Sequence, residues 1–537
     1  MMRLLTLLAA GVPLAAAVYL PGGASAAAEI STDSAPSNCS TVSVKAPAGT
    51  RVESVTSVRN EGGTINNTGI LVGSVADVPA FCDVTVTLTH PGDGDHAKVR
   101  TWLPVTGWNG RFQALGGSAY GAGDGGVGMG TAVKNGYAAT TTDAGVGDVL
   151  DTSWALNDKG RVDTALLQNF ASRSQHEAAV VGKEVVDAVY GKRAAYSYFT
   201  GCSTGGRQGY MEAQRYPDDY DGILAGAPAV NWDEFEVATL WPQVVMNNEK
   251  THPSTCELDT FTDAAVKACD PGDGVKDGLV EDPDRCNFDP RTLIGTKVVC
   301  NGQEMTITAA DAAVVRKIWD GPRTPSGKKL WAGVPIGADL KGLANTNAPD
   351  ADGNVTGAPF PVPALWVRLW LKQDPSFDLS TITYSQFTEL FKQSQAQYDK
   401  VIGTDDPDLS AYRNSGGKLL TWHGLADQFI PAQGTVQYRE QVERKMGGAK
   451  RVDDFYRLFL APGTAHCGLN GSTDGLAALT AWVEHGKAPR TLPATLTNAS
   501  GQTVTRDLCT YPQVSGYRGH GDPAVASSFR CVSPSRH

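Results

Sequence analysis

The sequence predicts an α/β protein with a mostly parallel sheet, and three observations lead to this fold class. Strand-like and helix-like segments alternate along the first part of the chain, as in α/β domains. The alternation stops after residue 228 and returns near residue 418. The chain of 537 residues, 41% of them hydrophobic, is long enough to bury a full core. The simplest architecture is one α/β domain, residues 27–228 and 406–537, with an insertion over residues 229–405.

Hydrophobic periodicity and turn residues place the individual elements. Runs of β-branched, aromatic and small apolar residues predict strands, whereas apolar residues at helical spacing predict helices. The helix over 172–190 ends before Gly191, a residue that commonly terminates helices. The predicted strands cover residues 97–103, 137–143, 195–200, 223–225, 418–422 and 455–460, and the predicted helices cover residues 172–190, 205–216 and 476–484.

The first 26 residues are predicted to be a secretory signal peptide. A basic start at Arg3 precedes an apolar stretch over residues 4–20, and Ala24-Ser25-Ala26 has the form of a cleavage site. No later segment is apolar enough to cross a bilayer. We therefore expect a secreted protein that does not associate with membranes.

Charge and cysteine content narrow the class of protein. Lys and Arg number 46 and Asp and Glu 57, so the net charge is −11, which disfavours nucleic acid as a partner. The sequence does not predict an oligomeric state. The ten cysteines are even in number and include no C-x-x-C pair, so in an oxidising compartment we expect five disulfides.

A nucleophile motif follows the strand predicted over residues 195–200. Gly201-Cys202-Ser203-Thr204-Gly205 matches G-x-S-x-G, and a predicted helix comes directly after it. In a nucleophile elbow the tight turn exposes the serine hydroxyl at the edge of the sheet. Ser203 is the predicted nucleophile, and the N–H of Thr204 is a predicted oxyanion donor.

An acid and a base follow later strands in the order that serine hydrolases of this kind use. Asp427 follows the strand over residues 418–422, and His466 follows the strand over residues 455–460. His423 is the alternative base, but it lies on the loop of the acid itself, so a structural role fits it better.

Two cysteines adjoin the predicted catalytic residues. Cys202 precedes Ser203, and Cys467 follows His466. If the two loops meet, the thiols must be close, and oxidation would join them. Such a bond would connect the nucleophile to the base across most of the chain.

The Cys-Ser … Asp … His-Cys arrangement resembles the tannase and feruloyl esterase family of secreted esterases. The resemblance extends from about residue 38 to Cys531. It implies an α/β-hydrolase fold with an inserted lid, a triad of Ser203, Asp427 and His466, and a Cys202–Cys467 disulfide. The motifs that carry it are residues 201–207, 422–427, 462–467 and 482–489.

The second oxyanion donor is expected on the glycine-rich segment over residues 112–118. Glycine lets a backbone approach a substrate closely. The family resemblance favours Gly117, although the sequence does not separate it from Gly116.

A cation site is expected in the insertion. Residues 269–279 contain three aspartates and three glycines, a composition that suits a hard cation but also a solvated turn. The resemblance implies a structural Ca²⁺ here. The implied ligands are the side chains of Asp270, Asp273 and Asp277 and the carbonyls of Val275 and Leu279.

The remaining disulfide pairs are less constrained, because spacing alone does not determine connectivity. We expect Cys269–Cys286 beside the acidic segment, Cys509–Cys531 in the C-terminal tail and Cys39–Cys82 near the N-terminus. Cys256–Cys300 is left by elimination.

The expected activity is hydrolysis of aromatic esters, small or attached to plant cell walls and polyphenols, through an acyl-enzyme. The resemblance leads us to expect a feruloyl esterase, with a galloyl-ester-cleaving tannase or another aryl esterase as the alternative. A non-catalytic binding protein on a hydrolase fold is a remote alternative. Six tryptophans of the insertion could form an apolar wall or pack in the core: Trp232, Trp241, Trp319, Trp331, Trp366 and Trp370.

Overall fold

The computed structural model describes residues 39–40, 42–67, 72–350 and 354–533. The predicted signal peptide, residues 1–26, lies outside this range. The strands are β1 Arg51–Asn60, β2 Gly63–Asn66, β3 Ser74–Val78, β4 Phe81–Thr89, β5 Ala97–Pro104, β6 Arg111–Ser118, β7 Gly121–Gly123, β8 Ala138–Thr142, β9 Tyr196–Cys202, β10 Gly222–Gly226, β11 Lys297–Cys300, β12 Gln303–Thr306, β13 Lys418–Gly424, β14 Tyr456–Ala461, β15 Thr491–Thr497, β16 Thr503–Cys509, β17 Val514–Tyr517 and β18 Phe529–Val532.

The α-helices are α1 Val127–Lys134, α2 Thr164–Gln168, α3 Ser174–Tyr190, α4 Thr204–Arg215, α5 Trp232–Ala238, α6 Trp241–Glu249, α7 Thr255–Cys269, α8 Ala309–Asp320, α9 Lys341–Ala344, α10 Pro361–Leu365, α11 Tyr384–Ile402, α12 Ser410–Asn414, α13 Gln433–Met446, α14 Ala449–Val452 and α15 Gly475–His485. Two π-helical turns, Asn169–Arg173 and Trp366–Leu371, and short 3-10 turns such as Asp270–Asp273 complete the helical structure. In the described part of the chain, no helix is both long and apolar enough to cross a bilayer.

A large mixed sheet organises the α/β part of the molecule. Its strand order is β1-β4-β5-β8-β6-β9-β10-β13-β14, and β7 pairs with β6. The pairs from β1 to β8 are antiparallel, and the pairs from β8 to β14 are parallel. The carboxyl ends of β9, β10, β13 and β14 therefore share one edge of the sheet, where α/β proteins place their functional loops.

The predicted elements are confirmed with small shifts at their ends. The helix expected over residues 172–190 is α3, which buries Ala178, Val181 and Val185 and ends at Gly191 with φ +68°. The strand expected over residues 195–200 is β9, which continues to Cys202. The α/β-hydrolase fold class is confirmed.

The inserted segment is mainly helical, and side-chain caps define the starts of its longer helices. Ser254, Thr308 and Thr383 each form a capping box with the residue three positions later, at α7, α8 and α11. The apolar core of the segment continues into the α/β part through Tyr120 and Phe170. The division at residues 228 and 406 remains a prediction about domain organisation.

Five disulfides are present, and they join the pairs expected from the sequence. Cys202 and Cys467 are bonded across 265 residues. The other pairs are Cys39–Cys82, Cys256–Cys300, Cys269–Cys286 and Cys509–Cys531.

Candidate active site

Ser203 lies on a sharp turn between β9 and α4. Its backbone has φ +65° and ψ −123°, a conformation that non-glycine residues adopt only where the surrounding structure enforces it. A Cβ at Gly201 would lie 2.6 Å from the backbone of Gly205, so the turn requires a glycine there. The motif therefore forms the strained elbow that the sequence predicts.

Backbone hydrogen bonds hold the elbow in place. The Ser203 N–H donates to the carbonyl of Gly226 at 3.0 Å, on the neighbouring strand β10. The Ser203 carbonyl accepts from the N–H of Arg207 at 3.0 Å and of Ala229 at 3.2 Å. These contacts fix the nucleophile relative to the sheet and stabilise its strained backbone.

Asp427 is fully buried after β13. One carboxylate oxygen, Oδ1, accepts from the N–H groups of Phe429 at 2.9 Å and Ile430 at 2.8 Å. Burial raises the pKa of this carboxyl group, but the attraction of His466 and the hydrogen bonds outweigh burial, so the pKa lies below its usual value. Asp427 is therefore a carboxylate over the working pH range.

His466 is held by Asp427 and Gln428 of the acid loop, residues 425–432 between β13 and α13. Its Nδ1 lies 2.8 Å from Asp427 Oδ2, and its backbone N–H donates to Gln428 Oε1 at 3.0 Å. Because the carboxylate can only accept, Nδ1 carries the proton and Nε2 is left as an acceptor. The ring of Phe429 meets the imidazole edge-on, with 5.5 Å between centroids.

The disulfide places the elbow beside the histidine loop, residues 462–474 between β14 and α15. The Cα atoms of Cys202 and Cys467 are 6.0 Å apart, and each cysteine adjoins a predicted catalytic residue. Among the described residues, no hydrogen bond joins Ser203 Oγ to the His466 ring. Hydrogen bonds of this kind often tighten only when a substrate is bound.

His423 is also close to Asp427, but it is fully buried. Its Nε2 lies 2.8 Å from the carbonyl of Ile430 and 3.3 Å from Asp427 Oδ2, and its Nδ1 lies 2.9 Å from Thr435 Oγ1. Both ring nitrogens are therefore occupied by internal partners. His466, whose side chain is 16% exposed, has the freer ring.

The oxyanion donors differ in how well the structure supports them. Thr204 is the first residue of α4, where a backbone N–H lacks an intrahelical acceptor. The N–H of Gly117, by contrast, donates to Gln208 Oε1 at 2.8 Å, and this bond is buried. The N–H of Gly117 is therefore engaged by Gln208 in this structure, and its role as an oxyanion donor stays a prediction. The side chain that engages this N–H comes from α4, 91 residues later.

An aromatic pair joins the insertion to the histidine. Phe360 stacks on Phe429 with 4.4 Å between ring centroids and 19° between ring planes. Both rings are partly buried, and Phe429 contacts His466. The six tryptophans of the insertion are instead packed in the core, each at most 8% exposed: Trp232, Trp241, Trp319, Trp331, Trp366 and Trp370.

The acidic segment over residues 269–279 has the donor chemistry of a cation site. In the described structure, Asp273 Oδ2 is buried and has no hydrogen-bond partner. Burial, opposed in part by a hydrogen bond from the Val275 N–H, raises the Asp273 pKa to about 6, and nearby Asp277 adds to the rise. Asp270 Oδ1 accepts from the N–H groups of Asp277 and Gly278 at 3.0 Å. These oxygens suit a hard cation.

Without a cation, the carboxylate oxygens of the three aspartates do not all lie within 4.8 Å of one another. Asp277 also forms a buried ion pair with Arg506 on β16. Within the described ranges, the one group whose potential ligand atoms all lie within 4.8 Å of one another is His90, Asp93 and Asp95.

The group around His90 is a closed charge network. The ring nitrogens of His90 lie 2.7 Å from Asp95 and 2.6 Å from Glu177, and Arg173 lies 3.0 Å from Asp93. A network in which donors already face the carboxylates offers no open position for a metal ion.

One protein family matches most of this chain. The family model described as tannase and feruloyl esterase matches residues 82–532. The chain belongs to the tannase and feruloyl esterase family. A probable feruloyl esterase of Arthroderma benhamiae is 50% identical over 465 residues, covering 84% of this chain and 86% of that protein. The tannase of Aspergillus oryzae is 29% identical over 510 residues, covering 84% and 85%.

Solved structures of the family share the fold. The tannin acyl hydrolase from Aspergillus niger superposes with a TM-score of 0.81 at 26% identity, covering 91% of this chain and 93% of that one. Feruloyl esterase B from Aspergillus oryzae gives a TM-score of 0.75 at 27% identity, covering 90% and 97%. Feruloyl esterases and tannases are carboxylic ester hydrolases. As a member of their family, this chain is also a carboxylic ester hydrolase.

The sequence does not predict Gln428 or the aromatic pair Phe360 and Phe429 as parts of the site. Gln428 adjoins Asp427, but no sequence signal shows that its side chain reaches a backbone 38 residues later. Phe360 comes from the insertion and Phe429 from the acid loop. The local sequence around either residue does not predict that the two rings stack.

Proposed function

We propose that this protein is a secreted serine esterase that hydrolyses aromatic carboxylic esters, with feruloyl and related hydroxycinnamoyl esters as the preferred class. The observation that carries the proposal is the Asp427–His466 pair, held beside Ser203 by the bond between Cys202 and Cys467. A nucleophile, a base and an orienting carboxylate are the three parts that acyl transfer requires.

In the first step, His466 Nε2 takes the proton of Ser203 while Oγ bonds to the ester carbonyl carbon. The carbonyl oxygen becomes an oxyanion, and the Thr204 N–H at the start of α4 stabilises it. Asp427 stabilises the imidazolium that forms, because its buried carboxylate remains charged. The C–O bond to the alcohol then breaks, and the alcohol leaves with the proton from His466.

In the second step, water replaces the alcohol. His466 removes a proton from the water, whose oxygen attacks the acyl-enzyme carbonyl. Ser203 leaves with the proton returned by His466, and the aromatic acid is released. The strained backbone of Ser203 keeps Oγ aimed at the same position in both steps.

The pair Phe360 and Phe429 supports an aromatic substrate. A partly buried phenyl surface next to His466 provides stacking area for a ring bound at the reacting ester. The relative at 50% identity bears the name of a feruloyl esterase, whereas the tannase is 29% identical. Hydroxycinnamoyl esters are therefore the first candidates, and galloyl esters are second.

The acidic segment is proposed to hold a structural Ca²⁺. The side chains of Asp270, Asp273 and Asp277 and the carbonyls of Val275 and Leu279 would hold it, and the unpartnered Asp273 oxygen supports this assignment. A bound Ca²⁺ would neutralise charge on the acidic segment, and it would not touch the reacting atoms.

Labelling with a fluorophosphonate tests the function. The probe should modify Ser203 in the wild type, should fail with Ser203→Ala, and should label the control Ser376→Ala, which alters an exposed serine of the insertion. Absence of labelling in folded wild-type protein would favour the binding-protein alternative.

A substrate panel then tests the acyl group. Methyl ferulate, methyl caffeate, methyl gallate and a phthalate monoester present rings that differ in their hydroxyl, methoxyl and carboxyl groups. The proposal predicts the highest kcat/KM with ferulate or caffeate. Cleavage of the gallate alone would show the tannase alternative to be right.

A further inference from the structure

Leu279, at the end of the acidic segment, inserts its side chain beneath the histidine loop. The residue is 1% exposed. It packs in the same apolar cluster as Phe459, Ala461 and Leu469, which flank His466 in sequence. A side chain from the insertion is therefore part of the core that supports the base.

The contact is closest at Gly463, three residues before His466. Gly463 has φ +59°, and a Cβ placed on it would lie 2.5 Å from Leu279 Cδ2. The leucine methyl thus fills the space where a side chain at residue 463 would stand. The position of Leu279 limits where the Gly463 backbone can lie.

Hydrogen bonds between the histidine loop and the acid loop connect Gly463 to the pair Asp427 and His466. The N–H of Ala426 donates to the carbonyl of Thr464 at 3.0 Å, and the N–H of Leu425 donates to that of Ala461 at 2.8 Å. The acid loop and the histidine loop are therefore joined on both sides of Gly463. A shift at Gly463 would move His466 relative to Ser203 or strain these bonds.

A void lies next to Gly463 and to the two residues that flank Leu279 in sequence. A cavity of about 120 Å³ lies between the acidic segment and the two catalytic loops, lined by Gly278, Val280, Leu425, Ala426 and Gly463 among others. Close-packed interiors resist displacement, whereas a void leaves room for it. The backbone that precedes Leu279 is held from two directions: the N–H groups of Asp277 and Gly278 bind Asp270 within the acidic segment, and Asn498 and Ala499 donate to the carbonyls of Asp277 and Gly278.

We propose that Leu279 is a positioning residue that couples the acidic segment to His466. Its carbonyl belongs to the proposed Ca²⁺ ligands, and its side chain supports Gly463, so cation occupancy and imidazole position are linked through one residue. The inference rests on the proposed esterase function and extends it, because the cation then acts on turnover as well as on stability.

The test compares wild type and Leu279→Ala with saturating Ca²⁺ and with a chelator. Chelation of the wild type should lower kcat at least about tenfold with little change in KM, since small misplacements of catalytic groups are costly. Leu279→Ala should show that lower kcat even with Ca²⁺, and chelation should reduce it little further. Calorimetric Ca²⁺ affinity should stay within about threefold of wild type, because the ligand is a main-chain carbonyl.

Two further variants keep the outcome interpretable if Leu279→Ala does not fold. Gly463→Ala places a Cβ against Leu279 and should lower both kcat and Ca²⁺ affinity, because coupling between two sites is reciprocal. Leu390→Ala removes the same side chain from the core of the insertion, where Leu390 is 2% exposed. It should lower the melting temperature but keep the wild-type kcat and its response to Ca²⁺.

The coupling is wrong if wild type binds no Ca²⁺, if chelation leaves kcat unchanged, or if Leu279→Ala and Gly463→Ala turn over at the wild-type rate. It is also wrong if chelation lowers the kcat of Leu279→Ala as much as that of wild type. Failure of the esterase proposal looks different, because the wild type would then neither react with a fluorophosphonate nor cleave any ester of the panel.

Discussion

Cys202 and Cys467 are bonded to each other, and their sequence neighbours are Ser203 and His466. The two cysteines are 265 residues apart in the chain, yet their Cα atoms are 6.0 Å apart. The bond therefore connects two loops that follow different strands of the sheet, β9 and β14. It brings the proposed nucleophile and base together covalently, in addition to the packing that surrounds them.

Replacement of this disulfide should impair turnover more than replacement of another one. We expect Cys202→Ala/Cys467→Ala to lower kcat about 10- to 100-fold, because the bond orients the two reacting groups. By loop entropy the bond, which closes 265 residues, contributes at most about 6 kcal/mol to the free energy of unfolding. Steady-state kinetics and thermal melts on the same preparations measure both quantities.

The matched control is Cys509→Ala/Cys531→Ala, which removes a disulfide of the C-terminal strands. It should lower the melting temperature with kcat near that of wild type. Equal kcat losses in the two double variants would show that the Cys202–Cys467 bond has no special relation to catalysis.

The two histidines near Asp427 should differ sharply in importance. His466→Gln should lower kcat by about 10³-fold or more, because it removes the base. His423→Gln should cost much less activity and should act mainly on stability, since both ring nitrogens of His423 have internal partners. Kinetics of the two variants, with circular dichroism to verify folding, would identify the base. The reverse order of effects would assign that role to His423.

Phe429 should contribute to the binding of aromatic substrates. We expect Phe429→Ala to raise KM for methyl ferulate about fivefold to fiftyfold, which corresponds to about 1–2 kcal/mol of lost ring contact. Phe429→Leu, which keeps an apolar side chain, should show a smaller rise. KM for a small aliphatic ester should change little, and a similar loss for both esters would contradict a specific role in ring binding.

Glu212 should make stability depend on pH. Both of its carboxyl oxygens are buried, and no N–H group of the described residues donates to them. Burial and the neighbouring Asp219 raise the pKa of Glu212 well above its usual value, so the folded state retains a proton that the unfolded chain releases. Its contribution to stability is complete below the unfolded pKa of about 4.3 and is lost as pH rises towards the folded pKa.

Glu212→Gln mimics the protonated group and should remove this dependence. Above about pH 4.3, wild type should lose stability relative to the variant by up to about 1.4 kcal/mol for each pH unit. Urea unfolding at several pH values measures the difference. Glu389→Gln, at an exposed position of α11, is the control and should follow the wild-type curve. A constant difference between wild type and Glu212→Gln at all pH values would contradict the assignment.

Local chemistry explains why the sequence alone predicted the elbow and the acid–histidine pair. A strand, a tight turn and a helix around Ser203 leave a short-range signal, and the flanking glycines follow from the close approach of backbones. Asp427 and His466 follow predicted strands, and parallel strands bring their carboxyl ends to one edge.

Contacts between distant segments explain what the sequence did not predict. The N–H of Gly117 is bound by Gln208, and the partner of the Phe429 ring is Phe360 in the insertion. Likewise, Asp277 forms a buried ion pair with Arg506, which lies 229 residues later in the chain. Each of these facts depends on side-chain packing in three dimensions, and none changes the local pattern of residues.

Mapping a fluorophosphonate adduct in protein digested without reduction would locate the nucleophile and its disulfide partner in one measurement. We expect the adduct on Ser203, in a peptide joined through Cys202 to the peptide that contains His466 and Cys467. An adduct on another residue, or those two cysteines unpaired or bonded to other partners, would contradict this expectation.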